Sequence, residues 1–163
     1  MAMSIPVLAA AIVTGIGQSG PPTTPVTGFA TGIINEIEQN GMATFGSVPT
    51  PNPVSGVTGP GMASKIQAAA GYPNVSTPLS NFCSAVATYI NSNAIVTYTG
   101  PIPPANPAWF LGGTISGLSG SALASAVQSS MGFPSVSSQL LGMCTAITDH
   151  ITNFASVTSG VIS

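Results

Sequence analysis

Gly71-Tyr72-Pro73-Asn74-Val75-Ser76 returns sixty-one residues later as Gly132-Phe133-Pro134-Ser135-Val136-Ser137. The match extends on both sides. Upstream, Ala63-Ser64 and Gln67 fall on Ala124-Ser125 and Gln128. Downstream, Leu79, Cys83, Ala85 and Ile90 fall on Leu140, Cys144, Ala146 and Ile151. Residues 63–98 and 124–159 share 14 identities in 36 ungapped positions. A more diverged copy precedes them at an offset of 53. There Thr24-Pro25-Val26 matches Thr77-Pro78-Leu79, Phe29 matches Phe82, and Ile37 matches Ile90. Self-similarity at a fixed spacing marks stacked supersecondary units. The units run over 4–46, 57–99 and 118–160, with linkers at 47–56 and 100–117.

Each unit reads as two helices and an extended tail. The first helix covers about 62–70 in the second unit and 121–131 in the third. It stops at Gly-aromatic-Pro, because proline cannot continue the pattern. The second helix opens at Thr77-Pro78, where Thr can cap exposed amides and Pro suits the first turn. Its apolar residues Leu79, Phe82, Cys83, Val86 and Ile90 are spaced to share one face. Leu140, Met143, Cys144, Ile147 and Ile151 repeat that face. Asn91-Ser92-Asn93 suits a C-cap, and Ile95-Val96-Thr97-Tyr98 has strand-forming content. The expected fold is mainly α: three repeated helical hairpins with short extended tails, joined by Pro/Gly-rich linkers.

Charge excludes several functions. The chain has one Lys, no Arg, three acidic residues and one His among 163 residues. That is 2% charged, against about 25% in an average soluble domain. One cation cannot neutralise a run of phosphates, so no nucleic-acid partner is expected. A basic membrane-binding patch is excluded for the same reason. The longest apolar run, Ile5 to Ile16, has 12 residues and contains Pro6, whereas a spanning helix needs about 20. MAMSIP lacks the basic start of an export signal. Disorder is not expected either, since 44% of the residues are hydrophobic and disordered chains combine low hydrophobicity with high charge.

The candidate chemistry resolves into structure. Asp149-His150 pairs the only Asp with the only His, but adjacent helical residues point about 100° apart. Its counterparts are Thr88-Tyr89 and Asn35-Glu36, a variation that suits a solvated or interface face. Glu36 and Glu38 do not face each other on a helix. Ser119 lies in Gly117-Leu118-Ser119-Gly120-Ser121, which lacks the strand and final Gly of a nucleophile elbow. Asn74-Val75-Ser76 is a formal glycosylation sequon in an inter-helix turn. No catalytic, metal-binding or cofactor-binding residues are expected. Cys83 and Cys144 occupy one position in two units, with Ala30 in the first, and are expected to be buried free thiols.

The second linker carries Trp109-Phe110-Leu111, which the first lacks. An aromatic insertion of this kind either plugs the chain's own core or contacts a partner. Trp109, Phe110 and Leu111 are taken as interface candidates, because similar units need an asymmetric feature to occupy a specific place in an assembly.

Gly132-Phe133-Pro134, Leu140, Met143-Cys144, Ala146-Ile147, His150-Ile151 and Val157-Thr158, with their second-unit counterparts, resemble repeat-bearing virion structural proteins of tailed bacteriophages. The resemblance covers the repeats and not the linkers, and it implies no catalytic residues. It implies a place in a virion: capsid, neck, tail or baseplate.

A two-helix unit cannot bury its apolar face alone, and a net charge of -2 gives little protection against association. The chain therefore reads as a non-enzymatic structural subunit whose partners are copies of itself or other structural subunits. With so few charges, its assembly is expected to be insensitive to pH and salt. The alternatives are a membrane-active protein, such as an ejected virion component using residues 5–17, and a subunit of an extracellular filament.

Overall fold

A computed structural model describes residues 2–43, 52–99, 112–158 and 160–163. Six helices alternate in pairs with six short strands. The helices are α1 (Ile5–Gly15), α2 (Thr24–Asn40), α3 (Gly59–Ala70), α4 (Thr77–Asn93), α5 (Gly120–Met131) and α6 (Ser138–Phe154). The strands are β1 (Met42–Ala43), β2 (Asn52–Ser55), β3 (Ile95–Thr99), β4 (Gly112–Ser116), β5 (Ser156–Thr158) and β6 (Val161–Ile162).

The helices form where local chemistry favours them. Thr58, Ser76, Ser119 and Ser137 each accept a hydrogen bond from an amide of the first turn that they cap. The cap of α4 is therefore Ser76, one residue before the expected Thr77. Helices α3 and α5 end on Gly71 and Gly132 in the left-handed region, at φ 74° and 70°, which glycine adopts without steric cost. The second helix of each pair ends differently. Gly41, Ala94 and Ala155 are extended, at φ -68°, -69° and -68°. The chain runs from helix directly into strand, so the Asn-rich ends do not form the expected cap turn.

The strands overturn the mainly-α expectation. They pair antiparallel in the order β1-β2-β3-β4-β5-β6 and close into a barrel through β6 and β1. The expected extended tails supply only β1, β3 and β5. The other three strands come from segments placed in linkers, at 52–55 and 112–116, and beyond the third unit, at 161–162. A lone tail would leave unpaired backbone at its edges. Closure pairs all six and leaves no edge. Ala43, Val54, Val96, Tyr98, Ile115, Val157 and Ile162 are buried and alternate with exposed residues along the strands, as a small barrel filled by side chains requires.

The helices form a second closed layer. Each packs on the next, and α6 packs back on α1. Core positions recur in threes. Ala30, Cys83 and Cys144 are all fully buried, as are Leu8, Met62 and Leu123. Ile37, Ile90 and Ile151 lie one layer closer to the barrel, just before the exits into strand. The apolar faces that a single hairpin cannot cover are thus covered within one chain. The first unit is out of step by one residue: its helix-capping Ser4 corresponds to Thr58 at an offset of 54, while α2 corresponds to α4 at 53.

Candidate binding grooves at the seams between units

Adjacent units meet at three seams, α2/α3, α4/α5 and α6/α1, and one pattern repeats at all three. The residue capping each first helix presents its backbone N–H to a side chain on the preceding second helix. Thr58 donates to Glu36 Oε1 at 2.8 Å. Ser119 donates to the Tyr89 hydroxyl at 2.8 Å. Ser4 donates to His150 Nε2 at 3.1 Å. Glu36, Tyr89 and His150 are equivalent positions, and all three are buried. They are not solvated but face the seams between units. What they share is the ability to accept a hydrogen bond, which hydropathy patterning does not register.

The three acceptors differ in strength. Glu36 is fully buried. Besides the Thr58 amide it receives the Thr58 hydroxyl at 2.7 Å, Asn40 Nδ2 at 2.9 Å and Lys65 Nζ at 2.5 Å. Burial alone would raise its pKa, but these four donors outweigh burial and hold it below the ordinary carboxylate value. Tyr89 also donates its hydroxyl to Ser119 O at 3.1 Å. His150 has the Ser4 bond and a stacked contact with Phe154, with ring centroids 4.8 Å apart. Burial lowers its pKa. An Nε2 that accepts an N–H carries no proton, so the ring is neutral with its hydrogen on Nδ1.

The seams also differ in how they are filled. At α2/α3, a Cβ on Gly28 or Gly32 would collide with Ala70 or Ile66, so these glycines let α3 approach closely. Lys65 then spans the seam to Glu36. The residues equivalent to Lys65 are Ala11 and Ala126, too short to span their seams, although α6 and α1 also approach closely where a Cβ on Gly142 would strike the Gly15 carbonyl. A groove of about 460 Å³ lies between α6 and α1, lined in part by Ala11, Ala146, Asp149 and His150. Its counterpart of about 410 Å³ between α4 and α5 is lined in part by Ala126, Ala85, Thr88 and Tyr89. A third, more apolar depression of about 300 Å³ is lined by residues that include Phe29, Phe82 and Met143, one from each unit.

Asp149 is exposed while His150 is buried, so the adjacent acid and base are not brought together. Glu38 is half-buried, and burial raises its pKa. Among the described residues no group of three or more His, Cys, Asp or Glu is placed to hold a metal ion. Cys83 and Cys144 are free and buried. Burial pushes both thiols up to about 12, with the Glu36 charge adding to the effect at Cys83. Ser119 is a helix cap. Asn74 is exposed in the α3–α4 turn. Trp109, Phe110 and Leu111 lie outside the described residues. The residues that reasoning from sequence did not single out are Ser4, Thr58, Lys65, Ala11 and Ala126. The cap pattern before each first helix was the available signal for Ser4 and Thr58.

No family model, no curated protein and no solved structure matches this chain. The fold itself defines the class: a single chain of three similar units, closed twice, once as a helical ring and once as a six-strand barrel.

Proposed function

We propose that the protein is a non-enzymatic structural subunit of a large assembly, a component of a bacteriophage virion. The observation that carries this reading is the scarcity of charge on its surface. The chain holds four ionic side chains, Glu36, Glu38, Lys65 and Asp149. Glu36 and Lys65 neutralise each other at the α2/α3 seam, where the Glu36 side chain is fully buried. Two carboxylates are left for the entire outer surface. A free protein is normally kept apart from its neighbours by a mixed, charged surface. A surface this neutral suits one that spends its working life covered.

The units cover one another, so an assembly is not needed for the chain to fold. Partners are needed only to occupy its neutral exterior. Among the described residues no helix is long and apolar enough to cross a membrane. Residues 5–17, the support for the membrane-active alternative, form α1 and its exit turn, with Leu8, Ala9, Ile12 and Val13 buried in the helical ring.

The test is recovery. Particles from producing cells would be purified and examined by electron microscopy and quantitative mass spectrometry. A fixed copy number in a particle supports the reading. Recovery of the chain solely as a free monomer overturns it. Within such a particle Trp109→Ala is expected to lower incorporation without changing the helical content of the isolated chain, since tryptophan is enriched at binding hot spots.

A further inference from the structure

We propose that the α6/α1 groove is a docking site for a lysine side chain of a different protein. The three seams are equivalent by position, and one of them shows its occupant. Lys65 lies in the α2/α3 seam, its ammonium 2.5 Å from the Glu36 carboxylate. At α6/α1 the equivalent residue is Ala11, and a groove of about 460 Å³ stands in place of the missing side chain.

The lining suits the same chemistry. Ala11, Ala146 and Phe154 offer apolar surface for an unbranched alkyl stem. Asp149, Thr145 and Asn153 offer oxygen acceptors for an ammonium. His150, which stands where Glu36 stands, is uncharged and its Nε2 is already bonded to the Ser4 amide. The negative charge is therefore supplied by the neighbouring Asp149. The α4/α5 groove has Thr88 at the position of Asp149 and no carboxylate in its lining. Charge complementarity singles out α6/α1.

The occupant is not a second copy. The sequence contains one Lys and no Arg, and that lysine is committed to Glu36. No Lys or Arg side chain of the 163 residues is free to enter this groove, so the occupant is assigned to another protein. The inference does not depend on the virion reading, because it concerns a site on the isolated chain.

Two experiments on the isolated protein test it. The first is an NMR titration with N-acetyl-lysine methylamide, with the norleucine analogue as the uncharged control. Saturable shifts confined to α1 and α6 are expected with the lysine compound alone, weakened up to about fivefold in Asp149→Asn, the range of a solvent-exposed ion pair. Absent shifts, or equal shifts from both compounds, overturn the proposal. The second supplies the side chain from within. Ala11→Lys is expected to raise the melting temperature and to abolish the response to the lysine compound. Its gain is expected to vanish in the Asp149→Asn background. An Ala11→Lys effect that is the same with and without the Asp149 carboxylate overturns the proposal even if a variant is partly destabilised.

Discussion

The Ser4 amide donates a hydrogen bond to His150 Nε2 at 3.1 Å, and these residues lie 146 positions apart. The bond ties α6 to the start of α1, at the one seam where no peptide linkage joins adjacent units. Its equivalents, Thr58 on Glu36 and Ser119 on Tyr89, join units that the backbone already connects. Three chemically unlike side chains thus hold the same place in a ring, and the least bonded of them holds the junction that no peptide linkage joins.

The first prediction concerns pH. His150 is buried, and its pKa lies below the ordinary value of 6.5. In the unfolded chain the ring protonates near that ordinary value. In the folded chain protonation would convert Nε2 from acceptor to donor opposite the Ser4 N–H. A His with a lowered folded pKa contributes stability that is complete above the unfolded value and is lost as pH falls below it. Thermal melts between pH 7.5 and 5.5 are expected to show a falling melting temperature. His150→Gln, which keeps an acceptor and does not titrate, is expected to flatten the slope. An equal slope in both proteins would assign the effect elsewhere. The scarcity of titratable groups therefore does not make the isolated chain indifferent to pH.

A second prediction separates the two members of the ion pair. Glu36→Ala removes the acceptor for four donors, among them a backbone amide and the Lys65 ammonium. Breaking a buried pair by deleting one member costs about 3–5 kcal/mol. The 24% exposure of the Lys65 side chain brings the expectation to about 2–4 kcal/mol. Lys65→Met leaves Glu36 with its other three hydrogen bonds but without its counter-charge, and is expected to cost about 1.5–3 kcal/mol, the range of a hydrogen bond to a charged group. Urea denaturation of both variants measures the difference. Equal losses would mean that Lys65, and not the set of donors, accounts for the stabilisation. Because the Glu36 pKa is depressed, its contribution is present above the unfolded carboxylate value and declines as pH falls through the folded one.

The third prediction uses the thiols. Cys83 and Cys144 lie in the helical core, and each thiol is pushed up to about 12. The thiolate is the reactive species, so native labelling at neutral pH is expected to proceed only through opening of the fold. Both cysteines should react on the timescale of unfolding and accelerate together in denaturant. Fast labelling of either thiol in the native protein would contradict its placement.

The helical part of this architecture was legible because it repeats. Gly71-Tyr72-Pro73 and Gly132-Phe133-Pro134 fixed the hairpin turns, and the apolar spacing from Leu79 to Ile90 fixed a buried face. The barrel was not legible by periodicity. Its strands span two to five residues, too few for alternation to stand out. Pro53 lies inside β2 and Gly112-Gly113 open β4, residues that ordinarily argue against a strand. Yet Gly113 is required: a Cβ there would crowd Val96 and Tyr98. A second signal was present in the repeat itself. Val54-Ser55-Gly56 and Ile115-Ser116-Gly117 keep the same sixty-one-residue spacing, which carries the unit upstream into the linker. Gly56 and Gly117 have φ of 88° and 84°, and a Cβ at either would strike the carbonyl oxygen of Asn40 or Asn93. The seam acceptors stayed hidden because Glu36, Tyr89 and His150 share a role without sharing a residue type.

The last prediction addresses barrel closure. Strand β6 completes the cylinder by pairing with β5 on one side and β1 on the other. Ser163 exchanges two backbone hydrogen bonds with Ser156, at 2.8 and 2.9 Å, and the Ala43 amide bonds Gly160 O at 2.9 Å. Ile162 is 1% exposed and packs inside. Deleting residues 160–163 would remove that side chain and leave β1 and β5 with open backbone edges. Loss of a buried Ile side chain alone costs about 2–5 kcal/mol. The open edges add a second consequence, because unpaired strands template pairing with another chain. The truncated protein is expected to melt lower and to self-associate, whereas Ile162→Ala is expected to melt lower and remain monomeric. Light scattering after size-exclusion chromatography distinguishes the two. If the truncated chain stays monomeric at the melting temperature of the intact protein, β6 is not what closes the barrel.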